Sequence, residues 1–142
     1  MTSSAEEIVA DFGFLEGQDK LQLLLEFSES LPDIDHRFLD DPELLERVEE
    51  CQSPVFIAVE GDAQRIDLHF SAPREAPTTR GFAAILSAAL NHQSAETILA
   101  FSEDFPSRLG LDSLISPLRV RGMRGMLARI KRKVGELTDS NA

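Results

Sequence analysis

The chain holds one cysteine, Cys51, in the segment Glu49-Glu50-Cys51-Gln52-Ser53-Pro54. A thiol does chemistry as its thiolate, the form that attacks electrophiles and binds metals. The flanking residues are polar and turn-prone, which places Cys51 on a loop ahead of the apolar run 55–59 rather than on a core face. Two readings stand side by side. In one the thiol is reactive; in the other Cys51 is a small buried hydrophobe, as free cysteines usually are. Glu49 and Glu50 oppose ionisation, because nearby negative charge disfavours a second anion. A reactive Cys51 therefore needs a cation from elsewhere in the fold, or from a partner. One cysteine allows no intrachain disulfide and no cysteine-rich zinc site.

The remaining titratable residues form no familiar constellation. His36, His69 and His92 show no metal-ligand spacing such as i, i+4 on a helix. A Cys51–His dyad has no support beyond the residues existing. Asp33, Asp35, Asp40 and Asp41 resemble a calcium loop in composition only, since the glycine and the bidentate glutamate are missing from their places. No glycine-rich phosphate loop is present. No metal site is expected. The last candidate is a basic stripe: residues 119–133 hold seven of the fourteen bases and no acid. Lys131, Arg132 and Lys133 suit the negative end of a helix, whereas Arg119, Arg121 and Arg124 load positive charge where the dipole opposes it. That placement points to an acidic partner surface or the anionic sulfur of Cys51. Gly122 and Gly125 each weaken a helix by about 1 kcal/mol relative to alanine. They imply close backbone approach, or a late start to the regular helix.

The elements that must position these residues follow from periodicity. Residues 4–31 read as two helices split at Gly17: Ile8, Phe12, Phe14 and Leu15 share one face, and Leu21, Leu24, Leu25 and Phe27 recur at helical spacing. Leu31-Pro32 ends the second helix. Residues 33–42 read as an acidic loop, and 44–50 as a helical turn running into an extended segment. Residues 55–59 form a β-branched apolar run, Gly61-Asp62 a turn, and Ile66, Leu68 and Phe70 alternate with Asp67 and His69. Thr78-Thr79 can cap a helix to Leu90, and Ser94 a shorter one through Phe101. Residues 104–115 read as short turns. Ser116-Pro117 opens a last helix, with Met123, Met126, Leu127, Ile130 and Val134 on its apolar face. Residues 136–142 read as a polar tail. The order α-α-β-β(-β)-α-α-α indicates an α+β fold, a small antiparallel sheet of two to three strands packed on one side by helices.

The chain of 142 residues, 42% apolar, is expected to form a single domain over 1–142 with an ordered core at about 5–135. The net charge is −11, and residues 1–50 alone hold fifteen acids against three bases. Such a domain repels phosphate at long range, so no nucleic-acid partner is expected, and the absence of Trp and Tyr removes the best base-stacking side chains. No apolar run approaches the roughly 20 residues of a membrane span. The polar, acidic N-terminus resembles no signal peptide, so the expected location is the cytoplasm.

Three motifs in order resemble the SufE family, the sulfur-acceptor proteins that partner cysteine desulfurases in iron–sulfur cluster assembly. They are Cys51-Gln52-Ser53-Pro54-Val55-Phe56, then Arg80-Gly81 at a helix opening, then Ser116-Pro117-Leu118-Arg119-Val120-Arg121-Gly122-Met123. The likeness runs from about Gly17 to Lys133. Glu50 stands where the family has glycine, Phe56 where it has tryptophan, and Glu75 falls near the family's acidic position before the middle helix.

The resemblance implies a carrier with no cofactor of its own. A SufS-like desulfurase, which uses pyridoxal phosphate, forms a persulfide; the loop cysteine, here Cys51, takes the outer sulfur, stimulates the desulfurase and passes the sulfur towards an iron–sulfur scaffold complex. Gln52 and Ser53 would support the loop. Arg119, Arg80 and Glu75 would contact the partner or the thiol. Val55, Phe56 or the 109–114 region would shelter the bound sulfur. The chain would act as a monomer or homodimer and would not itself be an enzyme. The other readings are an interaction module using the basic C-terminal helix with a structural Cys51, a cysteine hydrolase lacking a recognisable base, and an iron–sulfur scaffold, which needs about three cysteines or equivalent ligands.

Overall fold

A computed structural model describes residues 4–140, Ser140 by its backbone only. Met1–Ser3 and Asn141–Ala142, the outer ends of the acidic N-terminus and the polar tail, lie outside the described residues. Helices α1 (Ser4–Gly13) and α2 (Gln18–Ser30) are followed by a short helix α3 (His36–Asp40) and a 3-10 turn (Pro42–Leu44). Strands β1 (Glu46–Arg47), β2 (Phe56–Asp62) and β3 (Arg65–Ser71) form one antiparallel sheet in chain order. Helices α4 (Pro77–Leu90), α5 (Ala95–Leu99), α6 (Phe105–Arg108) and α7 (Pro117–Ser140) complete the fold. This is the α+β arrangement expected from strands bunched together between helices.

The period-two pattern of β3 has a direct structural consequence. Ile66, Leu68 and Phe70 are buried while Asp67 and His69 face the other side. The buried face meets α4, α4 packs on α2, and α7 crosses β2. Phe12, Phe82, Phe105, Met126 and Ile130 fill the space between helices and sheet. Backbone bonds from Ile66 N to the Gln93 carbonyl (2.8 Å) and from His92 N to the Ile66 carbonyl (2.7 Å) cover the free edge of β3. That leaves few open donors for pairing with a second sheet.

Several local expectations change. The acidic loop contains α3, because Asp35 accepts a bond from Arg37 N at 3.0 Å and caps it. Phe38 of α3 is fully buried and packs against His69 (centroids 4.7 Å apart), so the second sheet face is partly covered too. The hairpin turns at Ala63-Gln64, not Gly61-Asp62, since Asp62 Oδ1 accepts from both Gln64 N and Arg65 N. Helix α4 starts at Pro77, a residue pre-set for the first helical turn. Thr78 and Thr79 therefore lie inside that turn instead of capping it. Phe14 is 87% exposed although its neighbour Phe12 is buried, because α1 has ended at Gly13. Helix α7 continues through residues 136–140, the span read as tail.

Candidate functional site

The loop from Glu49 to Pro54 is closed at its base by a bond from Val48 N to the Val55 carbonyl at 2.9 Å. Within it Cys51 N donates to the Val48 carbonyl at 3.1 Å. Cys51 lies on this loop as its flanks indicate, yet it is only 6% exposed and belongs to the core cluster. Both features read from the sequence, the loop position and the buried hydrophobe, hold at once. The reason lies on α7. A Cβ on Gly122 would stand 3.2 Å from the Cys51 sulfur, and a Cβ on Gly125 would stand 2.5–2.7 Å from Glu50 side-chain atoms. The two glycines make a slot in which the loop seats. Of the two explanations for them, close approach is the one realised, since α7 is already regular from Pro117. The thiol donates to the Gly122 carbonyl at 3.7 Å, a long contact as sulfur donors make.

A cavity of about 340 Å³ opens beside the sulfur. Gln52 and Ser53 line it from the loop, Glu75 from the turn before α4, Thr78 and Thr79 from the first turn of α4, and Leu118 and Arg119 from the start of α7. Five of the six residues singled out from the sequence thus meet here, from three separate stretches of chain. Arg80 is the sixth, and it is elsewhere. It is 5% exposed and donates to the carbonyls of Ser28 (3.0 Å), Ala72 (2.6 Å) and Leu31 (2.8 Å). Its guanidinium ties α2 to the end of β3 through three backbone carbonyls. The expected shelter also changes: the walls are Ala76, Pro77 and Leu118, not Val55, Phe56 or the 109–114 region. Val55, Leu109 and Leu111 are committed to the core.

Electrostatics hold the thiol protonated. Burial, then the charge of Glu50, push its pKa up to about 11, against a smaller pull from Arg129. Such a thiol is held protonated at neutral pH. The basic stripe divides in three, one part being Arg124 and Lys131, which lie 3.9 and 4.0 Å from the exposed carboxylates of Asp104 and Glu103. Arg129 grips Glu50 through two bonds (2.8 and 2.9 Å) and Glu46 through a third (2.9 Å), while Arg132 and Lys133 also pair with Glu46. Arg119 and Arg121 enter no ion pair among the described residues; Arg119 has a 3.4 Å bond to Thr78 and faces the cavity. The Glu46 and Glu50 pairings were missed in the sequence. The available signal was that Gly125, Arg129, Arg132 and Lys133 lie on neighbouring turns of one helix, facing a segment with two glutamates four residues apart. Among the described residues no cluster of three or more His, Cys, Asp or Glu could hold a metal ion, and no helix is long and apolar enough to cross a membrane.

The Glu46 cluster carries a pH prediction. Burial opposes its ionisation, but bonds from Arg132 and Arg129 with the charge of Lys133 outweigh that and hold the carboxyl at about 2, below its ordinary 4.5. A depressed acid contributes stability above its unfolded pKa and loses it as pH falls through the folded one. Glu46→Gln should therefore cost about 1–2 kcal/mol at neutral pH. The difference from the native chain should shrink between pH 4.5 and 2. Urea unfolding at neutral pH and near the lower limit measures it; an equal gap at both would contradict the assignment.

The SufE profile, described as Fe-S metabolism associated domain, matches residues 6–134. An uncharacterized SufE-like protein of Mycobacterium tuberculosis is 56% identical over 131 residues, covering 92% of this chain and 90% of that protein. An uncharacterized SufE-like protein of Rhizobium meliloti is 30% identical over 137 residues, covering 91% and 93%. The solution structure of a hypothetical protein from Thermus thermophilus superimposes with a TM-score of 0.81 at 30% identity, over 96% of this chain and 98% of that one. With a profile matching from α1 into α7 and relatives aligned almost end to end, the chain belongs to the SufE family.

Proposed function

We propose that the protein is a sulfur acceptor that takes a persulfide sulfur from a pyridoxal-phosphate cysteine desulfurase onto Cys51, stimulates that enzyme and hands the sulfur on for iron–sulfur cluster assembly. The observation that carries this reading is the placement of the chain's one thiol beside a cavity deep enough for a further sulfur atom, with Arg119 at its wall. The transfer is balanced without an oxidant. The Cys51 thiolate attacks the outer sulfur of the desulfurase persulfide, a new S–S bond forms at Cys51, and the bond to the enzyme's cysteine breaks. The departing enzyme thiolate takes up a proton. The pyridoxal phosphate stays with the desulfurase, and no residue here is assigned to it.

The burial and high pKa of Cys51 favour a second reading, a structural cysteine in an interaction module. Intact mass separates the two. The native protein is mixed with a cysteine desulfurase of the same source and free cysteine, without reductant. A gain of about 32 Da, dependent on the desulfurase, supports the acceptor reading. A folded protein that gains nothing and stimulates no desulfurase of its source sinks it.

Arg119 is exposed, in no ion pair among the described residues, and lines the cavity that the thiol opens on. Arg119→Ala should raise the desulfurase concentration for half-maximal transfer by about tenfold, the scale of a rim charge that steers and docks. The melting temperature should not move. A titration of transfer against desulfurase reads it; an unchanged midpoint would remove Arg119 from the interface.

A further inference from the structure

Cys51 cannot leave its slot without its neighbour. Consecutive Cα atoms are about 3.8 Å apart, so a loop movement that presents the sulfur must carry Glu50 with it. Glu50 is held by a two-bond ion pair. Its two carboxylate oxygens take Nε and Nη2 of Arg129, at 2.8 and 2.9 Å, with the two side chains only 28% and 23% exposed. A paired, bidentate bond in such partial burial is stronger than a solvent-facing one. Arg129 is itself fixed from the other side, because its Nη1 bonds Glu46 on β1, which pairs with β2. Gly122, Gly125 and Arg129 stand at i, i+3 and i+7, one stripe along α7. The first two give room for Cys51 and Glu50, and the third closes on Glu50. Arg121 adds a weaker attraction to Glu50 without bonding it.

We propose that the Glu50–Arg129 ion pair is a latch that holds the Cys51 loop seated on α7, and that its opening sets the rate at which the thiol meets any electrophile. Glu50 and Arg129 are then positioning residues for sulfur acceptance. The significance of the latch rests on the acceptor reading, but the latch itself is measured on the free protein without any desulfurase, so the failure of one is distinguishable from the failure of the other.

The two charges allow a test in which a latch and a simple field effect have opposite signs. Arg129 favours the thiolate through its charge. If charge alone mattered, Arg129→Gln would slow attack by Cys51. If Arg129 holds the latch, the same change speeds it. The probe is iodoacetamide, with which the thiolate forms an S–C bond and expels iodide. Rates are compared at one neutral pH for the full native chain, Glu50→Gln, Arg129→Gln and the double variant. Glu50→Gln speeds attack on either account, so Arg129→Gln carries the distinction. Both single variants should raise the rate by about tenfold, the scale of one partly buried charge-assisted bond released. The double variant should be no faster than either single, because one latch opens only once. Gly125→Ala is the second route. It leaves both charges in place, but its Cβ would stand 2.5 Å from Glu50 Oε2 and so displace the carboxylate. It too should speed alkylation, with the helix gain of about 1 kcal/mol protecting the fold. A slower Arg129→Gln, or an unchanged rate in Gly125→Ala, would overturn the latch. Should Arg129→Gln fail to fold, Gly125→Ala decides, since it leaves both charges in place.

Discussion

Cys51→Ser is expected to gain no sulfur at all while keeping the native fold. The chain has no second cysteine, so no other residue can hold a persulfide. The substitution is gentle where the sulfur sits. Serine is slightly smaller, the site is 6% exposed, and the Gly122 carbonyl that receives the thiol contact can receive a hydroxyl. The stability change should stay within about 1 kcal/mol, since a buried hydroxyl with an acceptor loses little. Glu50 still meets Arg129 in the variant, so the loop keeps its seat. The serine protein should therefore dock on the desulfurase and compete with the native chain. Intact mass after incubation with desulfurase and cysteine, together with a competition series, tests both statements. A retained mass gain would place the sulfur somewhere other than Cys51 and defeat the acceptor mechanism.

The second large effect is on stability. Arg80→Met should destabilise the fold by about 3–4 kcal/mol, because three buried carbonyls lose their donor together. Those carbonyls belong to Ser28, Leu31 and Ala72, at the end of α2, the residue after it and the residue after β3. The nearest carboxylate, Asp33 at 4.0 Å, is largely exposed, so the guanidinium works chiefly through its backbone bonds. Arg80→Lys should recover only part of the loss, since one ammonium lacks the planar fork that reaches three acceptors. For a domain of this size the drop in melting temperature is on the order of 10 °C. Denaturant melts of the three proteins measure the series. Sulfur acceptance per folded molecule should be unaffected, because Arg80 does not line the Cys51 cavity. A loss below about 1 kcal/mol would return Arg80 to the partner-binding residues.

Arg80 and Cys51 show where sequence information stops. Arg80 stands in a motif with Gly81 at the start of a helix, and that position was legible. Its three acceptors lie 8, 49 and 52 residues away, and nothing in its flanks names them. The same holds for Glu50, whose partner is 79 residues on. Glu50 read as a source of unfavourable charge beside a thiol; the fold makes it half of an ion pair that seats the loop. The basic stripe reads as one feature, and packing splits it into Arg129, Arg132 and Lys133, neutralised by Glu46 and Glu50, Arg124 and Lys131, beside Asp104 and Glu103, and Arg119 and Arg121, left open.

Local sequence specifies the order of the main helices and strands (though not the short helices α3 and α6), the buried face of β3, the start of α7 at Ser116-Pro117 and the loop that carries Cys51. Each of these depends on residues within a turn or two of one another, where periodicity, proline geometry and capping act. It also marked Gly122 and Gly125 as costly in a helix, and so as places where something must come close. What comes close, the burial of a thiol that is also loop-borne, the walling of its cavity by α4 and α7 and the cancellation of charges all come from packing. Those outcomes are set by contacts between segments far apart in the chain, whose geometry exists only once the core has packed.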